Sequence, residues 1–106
     1  MSEPTPTPQV ASLQAAVTAL EAQEFTRGVS LLVALLDDID GRGLHAVEAT
    51  SRALLAQALH AMGQPDAGLT QARAALDAAG HTDDRALIHR CMALVETFRI
   101  LAQDQL

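Results

Sequence analysis

Residues 55–80 read LAQALHAMGQPDAGLTQARAALDAAG. Two Ala- and Leu-rich stretches flank the interruption Gly63-Gln64-Pro65, and Gly80 closes the segment. Proline fits the first position of a helix, where its missing N–H has no partner to lose. Glycine just past a helix end readily accepts the cap conformation. The segment therefore predicts a helix from about Leu44 to Met62, a tight turn, and a second helix from Pro65 to Ala79 with Gly80 as C-cap. Leu44, Val47, Ser51, Leu54 or Leu55, Ala58 and Met62 supply the apolar stripe of the first helix at spacings of three and four.

Working outward, the same logic predicts three more helices. Thr7 caps and Pro8 opens a helix reaching about Gln23, with Val10, Leu13, Val17 and Leu20 on one face. A second starts near Thr26, read as its N-cap, and ends near Asp38. It is apolar nearly all round, which predicts burial on several sides; a strand is the rival reading for so short a run. Gly41-Arg42-Gly43 breaks the chain. Thr82 caps a fifth helix running to about Gln103, with Asp83 and Asp84 in its first turn, where acids complement the helix dipole. No period-two pattern is sustained. The expectation is an all-α chain of antiparallel helical hairpins, two hairpin units plus a C-terminal helix and about five helices in all. Residues 1–7, Pro/Thr-rich, read as a disordered tail, and 8–106 as a single domain.

A shift of 40 residues superimposes the hairpins: Gly28 falls on Gly68, Ala34 on Ala74, Leu36 on Leu76, Asp37 on Asp77 and Ala16 on Ala56. On these residues the chain resembles the tetratricopeptide repeat. Leu55-Ala56 match that family's bulky-small pair, Leu59 the large residue after it, Gly63-Gln64 the turn, and Gly68 and Ala75 the small sites of the second helix. Ala15-Ala16, Gln23-Glu24-Phe25, Gly28 and Leu35 form a fainter copy. Small residues let helix backbones approach and large ones fill the adjacent hole. The family's first-helix aromatic is absent, with Ser12 and Arg52 at those sites, and the period of 40 exceeds the family's roughly 34. The rival is a generic five-helix bundle, in which the first and fifth helices would touch.

Composition narrows the function. All seven cations are arginines spread along the chain, and a net charge of −6 lacks the cationic face that nucleic acid requires. Aromatics are 2% of residues, too few for base stacking, so no nucleic-acid partner is expected. The longest apolar run, Leu31–Leu36, is far short of a membrane span, and no basic-then-apolar signal opens the chain. No membrane partner and a cytoplasmic location are expected. Cys91, the single cysteine, excludes an internal disulfide.

Chemistry finds little purchase. His45, His60, His81 and His89 contain no pair at the i, i+3 or i+4 spacing that puts two metal ligands on one helical face. Cys91 and His89, two apart, point away from each other along a helix and form no nucleophile–base pair. The chain is expected to be no enzyme, with no metal, cofactor or catalytic residues.

The resemblance implies a concave surface lined by the first helix of each hairpin, binding a peptide or helix. By the family pattern Thr50, Ala53, Gln57 and His60 face outward in the second unit and Arg85, His89 and Met92 on the fifth helix. Gln57, His60, Arg85 and His89 are the expected groove residues. Arg85 and His89 faintly echo the Lys/Asn/Arg carboxylate clamp of chaperone-binding members, but Leu13 and Val17 stand where that clamp needs polar residues. On the fifth helix Leu87, Cys91, Leu94, Phe98 and Leu101 make a stripe wider than one hairpin would cover, which predicts a homodimer interface. Two functions follow: a protein-interaction adaptor or small chaperone, or a structural or regulatory homodimer whose groove is filled by its own chain.

Overall fold

The computed structural model describes residues 7–103, which form α1 (Pro8–Glu21), α2 (Phe25–Ile39), α3 (His45–Ala61), α4 (Pro65–Ala79) and α5 (Arg85–Gln103). The fold is all-α, with no strand among the described residues. The expected tail falls outside them except for Thr7, whose Oγ1 accepts the Val10 N–H at 3.2 Å and caps α1.

The repeat extends to single backbone hydrogen bonds. At the end of α1, Ala22, Gln23 and Glu24 donate to the carbonyls of Thr18, Leu20 and Ala19 at 3.1, 3.0 and 2.8 Å. Forty residues on, Met62, Gly63 and Gln64 donate to Ala58, His60 and Leu59 at 3.0, 3.0 and 2.9 Å. Both are the six-to-one and five-to-two bonding that ends a helix on a left-handed residue. That residue is Gly63 at φ +78° in one hairpin and Gln23 at φ +62° in the other. Burial repeats as well: Gly28, Leu32, Leu35 and Ile39 of α2 are buried, as are Gly68, Ala72, Ala75 and Ala79 of α4.

Each helix packs on its sequence neighbour, and the odd-numbered helices touch in turn, α1 on α3 and α3 on α5. α1 and α5 make no contact. The hairpins therefore stack along an elongated body of 56 × 31 × 24 Å, and the closed bundle is excluded. Three apolar clusters follow the stack. Ala16, Leu32 and Leu55 join α1, α2 and α3. Ala49, Ala75, Ala78 and Ala79 meet Leu87 and Cys91, and Ala56 and Ala72 meet Phe98.

Three local expectations change. Thr26 is not the cap of α2: the helix begins at Phe25, and no side chain caps it. The preceding turn runs straight into it, with the Gly28 N–H already bonded to the Glu24 carbonyl at 2.9 Å. α2 is also less enclosed than its composition predicts, with Val33 47% exposed, because only α1 and α3 pack on it. At α5 the cap is Asp84, whose Oδ1 accepts the Leu87 N–H at 3.0 Å. Thr82 instead secures the loop, donating to the Ala79 carbonyl at 2.7 Å and accepting the Asp84 N–H at 3.2 Å.

Arg52 bridges α3 and α4. Its Nε donates to Glu48 Oε2 and its Nη1 to Gln71 Oε1, both at 2.9 Å. A half-buried ion pair within α3 thus also reaches across to α4 through one hydrogen bond.

Candidate functional site

The odd-numbered helices present a shared surface with two adjoining hollows. One, of about 350 Å³, lies between the end of α1, the start of α2 and α3, against Val17, Leu20, Phe25 and Leu54. The other, of about 190 Å³, lies between α3 and α5, against Ala53, Leu54, Leu87 and Leu94. Leu54 and Gln57 line both. α3 is thus the floor of one channel running from α1 to α5. The channel lining is mainly apolar, with Thr50 in the α3–α5 hollow and Gln57 exposed at the middle. Its charged lining residues are Glu21 at the α1 end and Arg90 at the α5 end.

The local sequence explains this geometry. Ala16, Ala49 and Ala56, all with no exposed surface, are the inward residues of α1 and α3, packed into the three apolar clusters, while Val17, Ala53, Leu54 and Gln57 border the hollows. Leu20 packs against α2 where Gly28 lies: a Cβ there would overlap Leu20 Cδ2 and Cγ, so the glycine makes room for the leucine at the edge of the hollow. Gly68 permits the tighter approach of α4 to α3, since a Cβ there would sit 3.0 Å from the Ala56 carbonyl oxygen.

Of the expected groove residues, Gln57 lies at the channel's centre. His60 is half-buried, its ring stacked on Phe98 with centroids 5.2 Å apart, so it joins α3 to α5 and lines neither hollow. Arg85 and His89 are exposed but absent from the channel. They sit roughly 100–180° around α5 from Leu87, Arg90 and Leu94, at 3.6 residues per turn. The residue missed is Arg90. The repeat itself pointed to it, because Thr50 plus the shift of 40 is Arg90, and Leu54 plus 40 is Leu94.

The expected dimer stripe is largely consumed within the chain. Leu87, Cys91 and Phe98 are 5%, 1% and 6% exposed, and Leu94 and Leu101 pack as half-buried neighbours of Phe98. These side chains cover α3 and α4, so they do not form a free interface. The opposite face of α5 carries Arg85, His89, Glu96, Arg99 and Gln103 beside the exposed Met92 and Ile100, and Arg99 is paired with Glu96. That exposed face is mostly polar, with two apolar side chains upon it.

Cys91 lies beneath the α3–α5 hollow. Burial pushes its thiol up from the ordinary range, against a smaller downward pull from Arg90, so it is protonated and a poor nucleophile at neutral pH. His45, the first residue of α3, and His81, in the turn after α4, stack with centroids 4.8 Å apart. Two imidazoles fall short of the three or four ligands a zinc site uses. Among the described residues no group of three or more His, Cys, Asp or Glu side chains converges on a metal position, and no helix is long and apolar enough to cross a membrane.

Comparison with family models, with curated proteins and with solved structures finds no match to this chain.

Proposed function

We propose that the protein is a non-enzymatic interaction module, a tetratricopeptide-like adaptor or small chaperone, that binds a peptide or helix in the α1–α3–α5 channel. The observation that carries this reading is the continuity of the two apolar hollows across Leu54 and Gln57. An apolar trough with a few polar groups at its rim suits the apolar face of an amphipathic segment. The family likeness is supported by the turn hydrogen bonds and buried positions that recur at a shift of 40.

Gln57→Arg tests it. Gln57 is exposed at the channel's centre, so the substitution blocks the trough without touching the core. Affinity capture from the native host with the wild-type chain should retain a protein that the variant loses, with the variant's circular dichroism unchanged. Identical capture by both proteins, or by neither, would sink the adaptor reading. The second reading is a homodimer in which another copy fills the channel. It rests on the same apolar lining, and light scattering at micromolar concentration separates the two.

A further inference from the structure

Accepting the channel as a binding site, the charges at its ends say what kind of segment it takes and which way round. Four of the seven arginines are paired within their own helices or turns: Arg27 with Glu24, Arg42 with Asp38, Arg52 with Glu48 and Arg99 with Glu96. Arg90 has no ion pair among the described residues and is exposed on the channel's rim. Glu21, exposed on the rim at the other end, has none either. α3 lies between them, since α1 and α5 do not touch. The channel is therefore a mainly apolar trough, with Thr50 and Gln57 as its neutral polar residues, one unpaired cation at the α5 end and one unpaired anion at the α1 end.

We infer that the occupant is an apolar helical segment with opposite charges at its two ends, an acidic residue over Arg90 and a basic residue over Glu21. Two interhelical steps of roughly 8–10 Å separate the end helices. By the shift of 40, applied twice, Glu21 matches Leu101 of α5, eleven residues and about 16 Å along the helix from Arg90. The charges thus lie on the order of 25 Å apart, which about 15–17 residues of helix span at 1.5 Å per residue. Such a segment places apolar side chains at i, i+3/i+4 and i+7 over Leu54 and the two hollows. A segment acidic at both ends sets like charges against Glu21, and one basic at both ends sets them against Arg90. The end charges fix direction more than strength, as rim charges generally do.

The test uses three synthetic helical peptides of about 17 residues, sharing one leucine face and differing only at their ends: one acid and one base, two acids, or two bases. Fluorescence anisotropy measures binding to the full chain. The wild type should prefer the mixed peptide by about three- to fivefold for each mismatched end at low salt, a preference that fades at high salt. Arg90→Glu should transfer the preference to the doubly basic peptide, and Glu21→Arg to the doubly acidic one. A spin label on the acidic end of the mixed peptide should broaden resonances of α5 and spare α1. Equal binding of all three peptides, or a preference that ignores both substitutions, overturns the inference while leaving the channel a binding site. Failure of every peptide to bind, wild type included, overturns the channel reading and this inference together.

Discussion

Ser51 has no exposed surface, and its hydroxyl, in the middle of α3, is buried without a hydrogen-bond partner. Leaving such a group unsatisfied costs about 1–3 kcal/mol, and alanine nearly preserves its shape while improving helix propensity. Ser51→Ala should therefore stabilise the chain by about 1 kcal/mol, read as a higher urea midpoint at unchanged slope; a lower midpoint would mean the hydroxyl has a partner in solution. The two matched glycines behave differently for a reason equally local. Replacing glycine by alanine inside a helix favours the helix by about 1 kcal/mol. At Gly68 the new methyl meets the backbone oxygen of Ala56, which a packed helix holds in place. At Gly28 it meets the flexible end of Leu20, which borders a hollow of about 350 Å³ into which it can turn. Gly68→Ala should lower the melting temperature and Gly28→Ala leave it unchanged or raise it. The opposite ranking would overturn this account of the close approach.

At the scale of elements, the helix boundaries were legible where proline and glycine punctuate the chain, at Pro8, Pro65 and Gly80. They were misread where two plausible caps stood together. Thr82 and Asp84 both precede α5, and only geometry shows that the carboxylate of Asp84 reaches the Leu87 N–H while Thr82 is spent on the loop. Asp84→Ala should cost about 1 kcal/mol, as loss of a cap does. Thr82→Ala breaks the loop bonds and should fray residues 80–84 with α5 intact. Hydrogen exchange at the first turn of α5 distinguishes the two. The rotation of α5 was the larger misreading. Its apolar stripe was visible, but periodicity gives a face without saying what covers it. Leu87, Cys91 and Phe98 are matched by small residues on α3 and α4, Ala49, Ala56, Ala72, Ala75 and Ala79. Alanines leave room for a neighbour's bulk. Read with that complementarity, the stripe belongs inside the chain, Arg85 and His89 turn outward, and Arg90 comes to the channel.

For the whole molecule, the lack of contact between α1 and α5 makes stability a matter of neighbouring joints. α3 and α4 are flanked on both sides, whereas α1 and α2 are held to the rest only through α3. Leu32, with no exposed surface, sits in the joint of α1, α2 and α3 with Ala16 and Leu55. Truncating a buried leucine to alanine costs about 2–5 kcal/mol. In a closed bundle that loss would lower the protection of every helix together. In this stack it falls first on α1 and α2, which can open while α4 and α5 keep their own clusters around Phe98 and Cys91. Leu32→Ala should therefore speed amide exchange in residues 8–39 well before it does so in residues 65–103. Phe98→Ala should do the reverse, loosening α5 first, because the ring and its stack on His60 hold that helix to α3. A uniform loss of protection in both variants would mean that the hairpins fold as one indivisible unit. The channel depends on which holds, since it is built across all three odd-numbered helices. If the stack opens at its ends, loosening either end should weaken peptide binding by disassembling half of the trough, even though neither Leu32 nor Phe98 lines it.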